Sequence, residues 1–507
     1  MSTGARGGDP LQVGCVEQML VDDHVVEDAW ELRRHLHPPL RHPAGPLLLA
    51  DRPWEDGVRT CNVLRDERDG VYHMLYQSVN VEAYQRYMNY GGLEPHPWDR
   101  AAHGTPKYVC YARSTDGLNW EKPILEGFPW RDHPRTNVVF PGASRAQSPE
   151  VLWNPDRSDE ERRLVMLYRD TIGYPGPDQR DGRCLAWSPD GIHWTADEDN
   201  PVTRGGSDGQ NPVCWDPQTE RWFCFCRPKV MAFDAASTPR PSRGNTRRRM
   251  AVMTSPDLRS WSFPRTAIVP DELDISTFCV EGSAAAFKWG SHFFSFVPIS
   301  DHYGSGRWRT QLAFSADGYR WSRLPDRPCW LDPGPEGSWD EHAAVPACPP
   351  VEVGDNWLIY YIGQRQPPLR HAHSFTLTAV GAAVVPKGRL IGRFAGEDDG
   401  FLLTRELLVG GRHLEIHCER VIDRDGRPPC EIRVGLARRS GEAGDHRDAG
   451  YHEGFALDDC LPMGMTSSAL RVRWRGGDDL GALVGKPAFL RFHLRNAGLY
   501  SFRFTDG

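Results

Sequence analysis

Acidic residues recur in this chain at one kind of place, just ahead of a short apolar strand. Trp54-Glu55-Asp56 comes first, then Gln147-Ser148-Pro149-Glu150, with Tyr168-Arg169-Asp170 across the following turn. Ser207-Asp208-Gly209-Gln210-Asn211, Val280-Glu281-Gly282 and Ser338-Trp339-Asp340-Glu341-His342 continue the series. Any one of these acids alone reads as a solvated or capping residue. Their recurrence at one station predicts a shared acidic funnel. Carboxyls that converge in a cleft suit glycosidic bond cleavage: one protonates the leaving oxygen while another attacks or activates water. Crowding and burial separate their pKa values, so that one stays protonated while the other is charged. In this scheme Glu281 is the general acid or base, and Asp208 its partner or electrostatic stabiliser. Glu55 or Asp56 is the nucleophile or water-activating base, and Arg169 and Asp340 line the sugar site. Trp54, Tyr168, Trp339, His302, Tyr303 and His342 lie close by in sequence as stacking faces, although packing between strands explains them equally well.

The elements that must position these residues announce themselves by repetition. Ser114-Thr115-Asp116-Gly117-Leu118-Asn119-Trp120 is echoed by Ser188 to Trp194, Ser255 to Trp261 and Ser315 to Trp321. Ser and Asp can bond nearby amides, Gly supplies positive φ, and Trp packs between neighbours; the phrase predicts a turn between outer strands. A long repeat of this kind marks a supersecondary unit that cannot bury its apolar face alone. The second strand of each unit is aromatic and aliphatic: Tyr72 to Gln77, Leu164 to Arg169, Trp222 to Cys226, His292 to Val297 and Trp357 to Tyr361. The fifth unit lacks the phrase and ends in Val380 to Val385, as a ring-closing unit can. The expected fold is all-β. Residues 1–17 form a disordered N-terminus, 18–395 a five-bladed β-propeller that is the catalytic candidate, and 396–507 a β-sandwich of alternating strands. Gln18 to Val26 is expected as a strand carrying two acids.

Bulk properties narrow the partners. A net charge of −8 and a pI near 6.2 argue against nucleic acid; Arg247-Arg248-Arg249 reads as a solvated strand edge. Thirteen cysteines without framework spacing point to a reduced compartment. Cys224 and Cys226 share one face of a strand and read as small buried hydrophobes. The N-terminus lacks a signal pattern and no apolar run reaches membrane-spanning length, so a cytoplasmic location without membrane partners is expected. A homo-oligomer is compatible with the sequence. No cofactor is expected and no metal, because His24, His302, His342, His371 and His373 show no ligand spacing. The partner is a small-molecule glycoside or metabolite.

Glu55 to Gln77, with its acid, hairpin and Tyr-His-Met-Leu-Tyr-Gln strand, resembles the start of the catalytic propeller in glycoside hydrolase family 32 and its family 43 relatives. The Ser-x-Asp-Gly-x-x-Trp phrases resemble that clan as well. Leu402-Leu403-Thr404-Arg405 and Leu499 to Phe504 resemble its appended sandwich. Val21-Asp22-Asp23, Pro53-Trp54-Glu55 and Tyr360-Tyr361-Ile362-Gly363 together resemble bacterial family-32-like proteins, from about residue 18 onward. The resemblance implies a nucleophilic Asp on blade one, where Glu55 or Asp56 stands, and an Arg-Asp-Pro acid on blade two. Gln147-Ser148-Pro149 occupies that second position, leaving Asp170 or Glu150 as substitutes. On blade three the family's Glu is replaced by Asp208 with Gln210-Asn211. Two alternatives follow from these departures: a propeller recruited as a non-hydrolytic biosynthetic enzyme on a small metabolite, and a non-catalytic carbohydrate-binding propeller.

Overall fold

A computed structural model describes residues 9–88, 104–174, 178–204, 211–227, 249–269, 271–274, 278–280, 285–301, 307–365, 378–421, 429–438 and 450–507. The chain divides into two compact units. One comprises Pro39–Lys288 and Phe293–Val385; the other comprises the residues up to Pro38, Trp289–His292 and Pro386–Gly507. Residues 18–38 therefore belong with the second unit, and the boundary expected at 395 falls at 385.

The first unit is a succession of antiparallel sheets. Val58–Arg65, Tyr72–Val79, Lys107–Ser114 and Val138–Phe140 make the first. Gln147–Trp153, Leu164–Ile172 and Arg180–Ser188 make the second, edged by Thr195–Ala196 and Thr203–Arg204. Val213–Asp216, Arg221–Cys226, Met250–Ser255 and Arg265–Ile268 make the third. His292–Asp301 and Trp308–Ser315 carry the fourth, and Ala343–Pro346, Asn356–Gln364 and Thr378–Pro386 the fifth. A single parallel pair, Trp308 with Ala343, links the last two. The outer strands of the fifth sheet come from far upstream: Leu40–Arg41 and Leu48–Leu49 pair with Thr378–Pro386.

These strands read as nearly unbroken apolar runs because both of their faces are covered by neighbouring sheets. Leu75 and Val109 of the first sheet pack with Val151 and Met166 of the second. Val165 and Leu167 meet Val213 and Trp222 of the third, while Phe223 and Phe225 meet Phe293 and Val297 of the fourth. Phe287 lies edge-on to Trp357 of the fifth at 6.0 Å. Leu358 and Tyr360 then share a core with Val58 and Cys61 of the first. Burying each such side chain contributes about 1.5–3 kcal/mol, so the sheets hold one another in a closed propeller arrangement.

The repeated phrase forms the turn it predicts. Asp116 Oδ1 accepts the amides of Leu118 and Asn119, both at 2.8 Å, and Ser114 Oγ accepts that of Gly117 at 2.9 Å. Asp190, Asp257 and Asp317 repeat the double acceptance. Gly117, Gly191 and Gly318 stand at φ of 76°, 81° and 74°; Leu258 takes the same left-handed backbone at 64° without being glycine. The indole N–H of Trp194, Trp261 and Trp321 donates back to the carbonyl at that position. In the first sheet the Tyr360 hydroxyl takes the Gly117 carbonyl instead, at 2.6 Å.

The second unit is a β-sandwich. One sheet runs Arg33–Leu36, Ile391–Ala395, Ala497–Thr505, His413–Arg420 and Ser467–Arg471, with Gln18–Met19 on Ala497–Thr505. The other joins Val26–Trp30, Gly400–Thr404, Pro487–Arg495, Leu407–Leu408 and Glu431–Ala437. Leu402, Val434, Leu490 and Phe492 face Leu414, Ile416, Phe502 and Phe504 across the core. The strand expected over Gln18 to Val26 is interrupted: residues 20–25 turn, and Asp22 accepts from His292 Nε2 (3.1 Å) and the His24 amide (2.8 Å).

Candidate active site

Local wiring in the second sheet fixes one segment firmly. The buried Asp170 carboxylate accepts the amides of Ala143, Ser144 and Arg145 at 2.6, 3.0 and 3.0 Å and the Ser144 hydroxyl at 2.7 Å. A charged acceptor on three successive amides stiffens that loop. The loop runs directly into Gln147–Trp153, where Gln147 pairs with Arg169 but Glu150 with Leu167, leaving a bulge. Ser148 sits in it at φ 50°, a backbone state worth roughly 1 kcal/mol or more of strain for such a residue. The first sheet grips the bulge from outside. Gln77 Oε1 accepts the Ser148 amide at 2.6 Å, and Asn62 bridges the Pro149 carbonyl (2.9 Å) and the Val151 amide (3.2 Å).

The residue held by these clamps is Glu150. It is buried, and its Oε1 has no hydrogen-bond partner. Burial holds its carboxyl well above the usual carboxylate range; Cys348 adds to this, and the Arg183 guanidinium opposes it. Cys61 and Cys224 lie within the field of Glu150 in turn. Groups of the first, second and third sheets and of the loop after Ala343–Pro346 thus share one neighbourhood around Glu150. Arg183 is buried there, donating to Asn211 Oδ1 at 2.8 Å and to Cys224 Sγ. Among the described residues no carboxylate lies within ion-pair distance of it. Thr60 Oγ1, on the innermost strand of the first sheet, is a second buried oxygen without a partner.

The other expected residues are engaged elsewhere. Glu55 is buried, with Oε2 accepting Lys122 Nζ at 2.6 Å and the amides of Asp51 and Arg52, and Oε1 accepting the Tyr76 hydroxyl. Both of its oxygens are thus occupied, by the Lys122 ion pair, by two amides of the loop before the first sheet and by Tyr76 of that sheet. Asp56 is exposed and accepts the Val81 amide at 2.8 Å, capping the helix Val81–Met88. Trp54 is buried and donates to Asn137 Oδ1 at 2.8 Å. Asp340 is buried, taking Arg41 Nε at 2.9 Å, the Tyr361 hydroxyl at 3.1 Å and the Ser338 hydroxyl at 2.8 Å. Trp339 stacks on Tyr361 at 5.6 Å and lies over Gly363 and Gly381, where a Cβ would meet its ring at 2.0 and 2.7 Å. His342 is buried beside these residues, its main chain bonded to Gln364 and Trp308. Arg169 forms a forked pair with Asp181 at 3.1 and 2.6 Å. An open groove of about 710 Å³ starts there, lined by Ile172, Gly173 and Asp178 to Asp181. Asp208 and Glu281, with His302, Tyr303, His371 and His373, lie outside the described residues.

The structure thus gathers Glu150 with Arg183 and Asn211 and sets Glu55 and Asp340 apart as structural ion pairs. Asp66, Asp69 and His73 bring ligand atoms within 4.8 Å of one another at the first hairpin. Asp66 is already paired with Arg163 at 2.7 Å, however, and His73 with the Tyr111 hydroxyl. Arg183, Asn62 and Gln77 carry no motif, and only Gln77 fell inside a strand legible from sequence.

An all-β chain of propeller and sandwich units with a buried carboxyl, raised in pKa and unpartnered at one oxygen, is the class that fold and site define. No family model matches the chain, and no curated protein matches it. Among solved structures it is similar to a putative glycoside hydrolase from Bacteroides ovatus, at 15% identity over 69% of this chain and 97% of that one, TM-score 0.39. A β-1,2-mannobiose phosphorylase from Listeria innocua is similar at 12% identity over 69% and 96%, TM-score 0.43. A fructofuranosidase from Schwanniomyces occidentalis is similar at 12% identity over 91% and 98%, TM-score 0.39.

Proposed function

We propose that the propeller unit cleaves a small glycoside, with Glu150 as the proton donor. The observation that supports this is a fully buried carboxyl, raised in pKa, whose Oε1 is left without a partner. A neutral acid can protonate the glycosidic oxygen as its bond to the anomeric carbon breaks. The carboxylate that Glu150 then becomes is stabilised by the nearby Arg183 guanidinium. Water supplies the hydroxyl that ends on the anomeric carbon, and its proton restores Glu150. The second carboxyl is assigned to Asp208 or Glu281 on the third and fourth units of the sequence. A cytoplasmic setting suits the free thiols at the twelve cysteines whose side chains are described.

Turnover by the parent and by Glu150→Gln tests the assignment on paired glycosides with poor and with activated aryl leaving groups. Poor leaving groups should suffer by about 100-fold or more, since acid catalysis supplies that much, and activated ones far less. Equal turnover by both proteins on poor leaving groups would remove Glu150 from the role. The thiol-rich surroundings of Glu150 favour a second reading, proton transfer on a small metabolite without hydrolysis. Conversion of a metabolite by the parent with no glycoside cleaved, and its loss in Glu150→Gln, would select that reading.

A further inference from the structure

The outer face of the sandwich sheet that begins with Val26–Trp30 carries a row of aromatic and charged residues. Trp30 pairs with Phe401, and Phe401 with His493, so the three side chains share the face turned away from the core. Trp30 stands on the edge strand with 67% of its surface exposed. Phe401 stacks obliquely on His493, centroids 5.0 Å apart, and the Arg491 guanidinium lies 5.5 Å from the Phe401 centroid. Leu403 separates Arg491 from the exposed Asp28 in the register of the sheet. An exposed indole leaves apolar ring faces uncovered, and a partner that stacks on them gains by their burial.

We propose that this face binds a neutral saccharide, one sugar ring stacking on Trp30 with its hydroxyls shared between Asp28 and Arg491. Charge selects the occupant. Arg433, Arg491 and Arg495 are balanced on the face by Asp28, Asp399 and Glu431; Arg495 bridges Glu431 at 2.9 Å and Asp399 at 3.5 Å. A surface with cancelling charges gains nothing from an ionic ligand, whereas a polyol can accept from the guanidinium and donate to the carboxylate. The carbon-bound hydrogens of a pyranose supply the apolar underside that an indole face takes. The site lies wholly within the sandwich unit and does not depend on the role given to Glu150.

Native electrophoresis of the full chain through gels holding inulin, mannan or mixed-linkage β-glucan, with polygalacturonate as the acidic control, tests the proposal. The parent should be retarded by at least one neutral polymer. Trp30→Ala should weaken that retardation about three- to tenfold, the worth of a well-stacked aromatic face. Asp28→Asn and Arg491→Gln should each weaken it by a smaller factor, and glycoside turnover in the propeller unit should be unchanged by Trp30→Ala. Retardation by polygalacturonate alone, by no polymer, or equally in Trp30→Ala would overturn the proposal. So would a change from dimer to monomer by light scattering in Trp30→Ala, which would make the face an interface between two copies.

Discussion

At the scale of single residues, the question is which acids are spent on structure. Lys122 fixes Glu55 from 67 residues downstream, and Arg41 fixes Asp340 from 299 residues upstream. Neither pairing leaves a mark near the acid in the sequence, so Glu55 reads there as a catalytic carboxyl and Asp340 as a residue lining the sugar site. From sequence Glu150 stands only beside Asp170 as a substitute for the blade-two acid that the resemblance implies, because its isolation depends on what surrounds it in space. That isolation has a consequence for stability. The folded carboxyl is raised above its ordinary pKa, so the native state holds the proton more tightly than the unfolded chain does. The resulting stabilisation is whole below about pH 4.3, the unfolded value, and is lost as pH rises toward the folded pKa. The melting temperature of the parent should therefore fall relative to Glu150→Gln between pH 5 and pH 8. A gap that stays constant across that range would mean the carboxyl is not held neutral.

At the scale of elements, the turns were legible because their chemistry is local. Ser, Asp and Gly satisfy one another within four residues, and all four turns form as the phrase indicates. Less visible is how each turn serves a neighbouring sheet. Gly318 is tight against Phe223 of the third sheet, where a Cβ would come within 2.6 Å of the ring at φ 74°. Gly318→Ala should thus cost about 1–3 kcal/mol through crowding and backbone strain together, measured by chemical denaturation. A loss below about 0.5 kcal/mol, the size of a neutral surface change, would show that the two sheets can part to admit a methyl group. The bulge at Ser148 was not legible at all. Nothing in Gln147-Ser148-Pro149-Glu150 announces that Asn62 and Gln77 of another sheet hold its backbone.

At the scale of the whole molecule, sequence repetition conveyed the all-β character of the chain, while the partition of the chain into units did not follow chain order. Residues 18–38 preceded the propeller in sequence and so were assigned to it, yet Val26–Trp30 and Arg33–Leu36 pair with strands beyond residue 390. The fifth sheet shows the same long reach. Leu48 is 3% exposed in the core that joins the first and fifth sheets and pairs with Val380. Leu48→Ala should cost about 2–5 kcal/mol. Amide hydrogen exchange should then rise first along Thr378–Pro386 and Val58–Arg65, the strands on either side of the seam. Exchange that rises evenly over all sheets would show that the seam opens no earlier than the rest.

A clasp made from the two ends of the propeller sets a timetable for biosynthesis. Leu40–Arg41 and Leu48–Leu49 leave the ribosome early, and their partner Thr378–Pro386 follows some fifteen to seventy seconds later, roughly, at ordinary rates of translation. Throughout that wait the nascent chain carries unmated strand edges, which makes shielding by a chaperone most valuable before the last sheet emerges.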